Sequence, residues 1–197
     1  MTRPTTHSDM HKKLSVGRAD IKEYKARLLA SAQHTQEALR ELAASESPAS
    51  FLDKLKFHPI GCDPLDATRP LNLIEQINQA ATYLASLNGA EFLFSRHIEI
   101  RSLRLNLGTT QGFDIETDEG GGIEAEVFAT VDPKNNRKLV NDYERLLKKS
   151  QAKHRYVLFT SPKCKEGSYP PYESKADGIC VWSLGHECDS PILRQPC

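Results

Sequence analysis

Between Ile98 and Thr160 the apolar period changes twice, and this constrains the fold more than any other feature of the chain. Ile98, Ile100, Leu103, Leu105 and Leu107 recur at a step near two, which predicts a strand. After a turn over Gly108 to Gly112, Phe113 and Ile115 alternate with Asp114 and Glu116 in a second strand. The acidic, glycine-rich stretch Asp118 to Gly122 predicts a hairpin turn. A third strand follows over Ile123 to Val131, where Ile123, Ala125, Val127 and Ala129 alternate with Glu124, Glu126 and Phe128. The step then becomes helical over Asn135 to Ser150, with Leu139, Tyr143, Leu146 and Leu147 in one stripe. His154 to Thr160 is a short, largely apolar run of the kind that forms a buried strand. A helix joining two strands of one sheet makes them parallel with a right-handed crossover, whereas the hairpin before it is antiparallel. The expected architecture is therefore α/β (α+β in looser usage): a mixed sheet with helices packed on it.

The flanks are simpler. Polar residues with no period predict disorder over the first ten or so positions. Asp20 to Leu42 reads as a helix, with a shorter one near Ala49 to Phe57. His58 to Pro70, with Gly61 and three prolines, reads as a linker. It divides a helical N-terminal arm, 1–58, from a main domain, 70–197, with a C-terminal extension. Leu71 to Leu87 is a second strong helix, its stripe of Leu71, Ile74, Ile77, Ala81 and Leu84 expected to face the core. Asn88-Gly89 reads as its stop, with Glu91 to Phe94 prolonging it or starting a strand. Ser161 to Asp177 reads as loop and Ile179 to Leu184 as a last strand.

The formal net charge is zero, which excludes a uniformly basic coating protein. The zero is a sum of opposed blocks. Gly112 to Pro133 holds seven acids and no Lys or Arg; Lys134 to Lys165 holds ten bases and two acids. No stretch approaches the roughly 20 apolar residues of a membrane span, so no membrane partner is expected. Met1 to Lys13 has no apolar core, so no secretory leader is expected. With that, the odd, irregularly spaced set Cys62, Cys164, Cys180, Cys188 and Cys197 reads as reduced thiols in a cytoplasm.

Chemistry concentrates on the acidic strands. Pairing about Gly120 puts Glu116 opposite Glu124 and Asp114 opposite Glu126, four carboxylates on one sheet face. Such a cluster repels itself, and a hard divalent cation relieves that. Asn135, Lys138 and Asp142 share a face of the following helix, which could look toward these acids.

The order helix, strand, strand with Asp114 in GFDIE, strand with Glu124 and Glu126 in IEAEVFA, helix NNRKLVNDYERLL and strand HRYVLF resembles the core of the PD-(D/E)XK, or restriction-endonuclease-like, superfamily. The resemblance covers about Leu71 to Thr160 and implies a restriction-endonuclease-like sheet and a Mg²⁺-dependent DNA endonuclease, with Mn²⁺ as a substitute. It implies one or two metal ions on Asp114, Glu124 and the Ala125 carbonyl, with Glu75 as an outer ligand. Glu126 stands where the family ordinarily has Lys; it would ligate a second metal or take a proton from water. Lys138 would then supply the cation that stabilises the transition state. Lys134, Arg137, Lys148, Lys149 and Arg155 would hold flanking DNA phosphates.

Other readings compete. The acids can be the solvated face of half-buried strands, and Asp142 and Glu144 can pair with Arg145 and Lys148 on an exposed helix. A degenerate member that binds DNA or a regulatory partner without turnover would keep the same sheet. The helix Asp20 to Leu42 could serve dimerisation, and a homodimer also suits an enzyme that cuts two strands. Cys164, Cys180, His186 and Cys188 lack a Cys-x-x-Cys pair, which weakens a zinc reading.

Overall fold

A computed structural model describes residues 13–108, 111–117, 122–135, 137–173 and 177–186. The expected disorder at the N-terminus, the tip of the Asp118 to Gly122 turn, Cys188 and Cys197 lie outside these. The chain runs through β1 (Lys13–Gly17), α1 (Asp20–Ser45), α2 (Pro48–Phe57), β2 (Gly61–Asp63), β3 (Asp66–Leu71), α3 (Leu73–Arg96) and β4 (Ser102–Asn106). It continues through β5 (Ile115–Thr117), β6 (Ile123–Ala129), α4 (Lys138–Lys149), β7 (His154–Thr160), β8 (Gly167–Ser168), α5 (Pro170–Glu173) and β9 (Ile179–Ser183).

Seven strands form one mixed sheet in the order β1-β4-β5-β6-β7-β9-β8. β4, β5 and β6 are an antiparallel meander, and β6, β7 and β9 run parallel. The helical crossover through α4 produces the parallel step, as its length and period require. Alternation assigns each strand residue to one of two cores. Leu103, Leu105, Ile115, Ile123, Ala125, Val127 and Leu158 pack against α3. Phe128, Val157, Phe159, Ile179 and Val181 pack against Leu139, Tyr143 and Leu146 of α4. Glu124 and Glu126 alternate with the first set, so they lie on the α4 side.

Three expectations change. The supposed linker contains the β2–β3 hairpin, whose Asp63 is buried and takes hydrogen bonds from the Tyr83 hydroxyl and the Leu65 N–H. β1 pairs along the outer edge of β4, so the N-terminal segment is part of the sheet. Finally, α3 turns the other way. Its stripe of Ile74, Ile77 and Leu84 is 52%, 56% and 45% exposed, while Gln76, Tyr83, Leu87, Ala90 and Phe94 face inward. The Gln76 amide is received by the Thr35 hydroxyl and that of Ser31 3.3 Å away, and a polar residue thereby opens the buried stripe.

Gly89 does not stop α3, which continues to Arg96. A Cβ there would stand 3.1 Å from Ile115 Cδ1, 3.2 Å from Val127 Cγ2 and 3.3 Å from Leu158 Cδ1. Glycine lets the helix lie close on the sheet at this point.

Candidate active site

The meander delivers the carboxylates as its alternation requires. Glu116 pairs in register with Glu124, and Ile115 with Ala125, which sets Asp114 beside Glu126. An Asp114 Oδ2 hydrogen bond from the Val127 N–H, 2.8 Å long, fixes that side chain against β6. Glu126 has no exposed surface. Ala125, between the two glutamates, turns its methyl to the α3 core.

The strand segment that lacks bases obtains them from elsewhere in the fold. Arg104 on β4 pairs with Glu116 at 2.6 Å, and Arg145 on α4 pairs with Glu126 at 2.6 Å. Arg145 also donates to the Gly112 carbonyl and lies over the Phe113 ring, 5.2 Å from its centroid. Lys138 pairs with buried Asp142 at 2.8 Å and stands 5.8 Å from the Phe128 ring centroid. Lys138, Asp142 and Arg145 follow at steps of four and three, so one face of α4 lays all three over the acidic strands.

Burial is the main force on the Glu126 carboxyl, and the charges of Asp114 and Asp142 add to it; together they raise its pKa to about 9 against the pull of Arg145. A neutral Glu126 and an ion pair at 2.6 Å look contradictory. They are reconciled by counting the group together: Asp114, Glu126 and Asp142 face Lys138 and Arg145, so one proton neutralises the set. Burial also raises Asp142, which Lys138 only partly offsets. Among the described residues, Glu126 Oε2, Asp142 Oδ2 and Glu124 Oε2 are buried without a hydrogen-bond partner.

Glu124 lies on the same face of β6, two residues before Glu126, in register with Glu116 on one side and Arg155 on the other. The remaining expected residues lie elsewhere. Glu75 closes a capping box with Asn72 at the start of α3, on the opposite face of the sheet, and is not brought to the site. Lys134 and Arg137 are exposed just before α4, Arg137 in a left-handed conformation with φ 57°. Lys148 and Lys149 sit at the far end of the helix, Lys148 paired with Glu144 at 2.9 Å as the surface reading expects. Arg155 is held by the Asp177 carbonyl. Asn135 lies in the turn before α4 and not on its face. Arg145 and Asp142 complete the cluster although the metal reading assigned them nothing. Their spacing from Lys138 was the available signal.

Among the described residues, no three His, Cys, Asp or Glu side chains are placed to hold a metal ion. Cys62, Cys164 and Cys180 are partly buried free thiols, and burial pushes the Cys180 thiol up. No described helix is long and apolar enough to cross a membrane. No protein-family model, curated protein or solved structure matches the chain.

Proposed function

We propose that this chain is a Mg²⁺-dependent DNA endonuclease with a restriction-endonuclease-like core, working in a reducing cytoplasm. The observation that carries the reading is the convergence of Asp114 and Glu126 on neighbouring strands under the face of α4 that also carries Lys138. The element order α3, β4, β5, β6, α4, β7, with the helices on opposite faces, agrees with what the resemblance implies. The register sets Asp114 beside Glu126, as pairing about Gly120 predicts, with Glu124 two residues away on the same strand. Two residues beyond Glu126 stands Phe128, and the ammonium of Lys138 lies over its ring. Lys138 thus brings a cation from the helix to the neighbourhood where the family has one on the strand.

The donor set suits Mg²⁺, which takes one or two carboxylates and completes its shell with water. Asp114 and Glu126 would hold it, Glu126 after giving up the proton that burial favours on it. Held there, such an ion would supply polarisation of the scissile phosphate and a lowered pKa for a bound water. Lys138 stabilises the charge that develops on phosphate oxygens, and Lys134 and Arg137 bind flanking phosphates from the loop beside it.

The test is plasmid DNA with Mg²⁺ or Mn²⁺, and EDTA as control. Nicking or linearisation that EDTA abolishes is expected, with Asp114→Ala lowering the rate by about 10²-fold or more. Undiminished cleavage by Asp114→Ala would sink the assignment. The Arg145–Glu126 pair favours a second reading, a DNA-binding module whose acids are neutralised within the chain. DNA binding without cleavage under either metal selects it.

A further inference from the structure

We propose that Arg145 is the internal counter-ion of this site, standing on Glu126 where a divalent cation would stand, so that the cation and the Arg145–Glu126 pair exclude one another. The inference rests on the metal-dependent reading above and deepens it. Glu126 is wholly buried, and Arg145 Nη1 is 2.6 Å from its Oε1. The guanidinium cannot shed its proton, so a metal ion reaches that oxygen only when Arg145 moves.

Which partner moves follows from exposure. The Arg145 side chain is 37% exposed and that of Glu126 is not exposed at all. Glu126 is fixed in the middle of β6 with a strand on either side. Arg145 is held by lesser contacts, the Gly112 carbonyl and the Phe113 ring. Charge points the same way: three acids against two bases leave the cluster one negative charge, too little to hold a doubly charged ion while Arg145 stays. A divalent ion fits once the guanidinium has left. Freed, the fork of Arg145 would stand on the helix face that also presents Lys138, with its donors available to a phosphate.

The experiment is a Mn²⁺ titration of the full chain, with free Mn²⁺ read by electron paramagnetic resonance and no substrate present. Mutual exclusion is a negative coupling between two binding events, so Arg145→Met should bind Mn²⁺ about tenfold tighter than wild type. Glu126→Gln should lose that site. A merely structural Arg145 would weaken binding when removed. Should Arg145→Met fail to fold, because it strands a buried carboxylate, Arg145→Lys carries the test. Its compact ammonium keeps the charge but cannot grip Glu126 and the Gly112 carbonyl together, and several-fold tighter binding is expected. Affinity equal to or weaker than wild type in the folded variants overturns the inference and leaves the metal site standing. No Mn²⁺ binding by wild type or either variant overturns the metal-dependent reading and the inference with it.

Discussion

A buried titratable side chain is defined by what surrounds it, and His97 states the case as clearly as Glu126 does. His97 Nε2 lies 2.8 Å from the Tyr156 hydroxyl, its Nδ1 lies 3.5 Å from Glu99 Oε1, and its ring centroid is 4.5 Å from that of His154. Burial first, then the charge of His154, holds its pKa below the ordinary histidine value, while Glu99 works in the opposite direction. The native imidazole therefore takes up a proton less readily than the unfolded one. Its contribution to stability is complete above about pH 6.5 and is lost as pH falls from there toward the native value. Urea unfolding should accordingly show a lower midpoint near pH 5.5 than near pH 7.5, with the difference narrowed in His97→Gln. A difference that His97→Gln leaves intact would remove His97 from the account. None of this was legible in the sequence, because His97 and Tyr156 are 59 positions apart and only the fold brings them together.

At the scale of the element, periodicity located the helices and strands better than it oriented them. The strand His154–Thr160 and the register of Glu116 with Glu124 follow from alternation, which leaves few choices on a sheet buried on both faces. α3 shows the limit. Its apolar stripe of Ile74, Ile77 and Leu84 marks a helix correctly and faces outward, because the inward stripe includes Gln76 and small residues that no hydrophobic pattern favours. Gln76 is buried for its hydrogen bonds to side chains of α1, and Gly89 is buried for lack of a Cβ, reasons that exist only in three dimensions. Thermal or urea unfolding of three variants tests the orientation. Ile77→Gln should change stability by no more than about 0.5 kcal/mol. Leu87→Ala, 1% exposed in the native chain, should cost about 2–5 kcal/mol. Gly89→Ala, which drives a methyl toward three side chains of the sheet, should cost about 1–3 kcal/mol. A costly Ile77→Gln beside a tolerated Leu87→Ala would mean that α3 is turned the other way.

For the whole molecule, the neutral total conceals where charge goes on folding. The acids of β5 and β6 draw in Arg104 and Arg145, so part of the basic block is consumed internally. Of what remains exposed, α4 gathers five at its two ends, Lys134, Arg137 and Lys138 near its start and Lys148 and Lys149 in its last turn, while Lys153, Lys163 and Lys165 lie beyond it. A helix of 12 residues separates the ends by about 18 Å, several phosphates along a nucleic-acid backbone. Position relative to the carboxylates assigns different work to the two groups. On the nuclease reading, Lys138, which stands over Phe128, would serve the chemistry, and Lys148 and Lys149, a helix length away, would serve backbone binding. Affinity for a DNA duplex measured across a salt series, together with turnover at saturating DNA, separates these roles. Lys148→Ala with Lys149→Ala should flatten the plot of log affinity against log salt by up to about 0.9 for each phosphate that the variant no longer neutralises. Lys138→Ala should act chiefly on turnover. The pair Lys148–Glu144 makes the expected effect at Lys148 smaller than that of a wholly free cation, because its charge is already partly neutralised. Equal loss of affinity from both ends, with turnover untouched by Lys138→Ala, would turn α4 into a binding surface along its whole length and favour the module without catalysis.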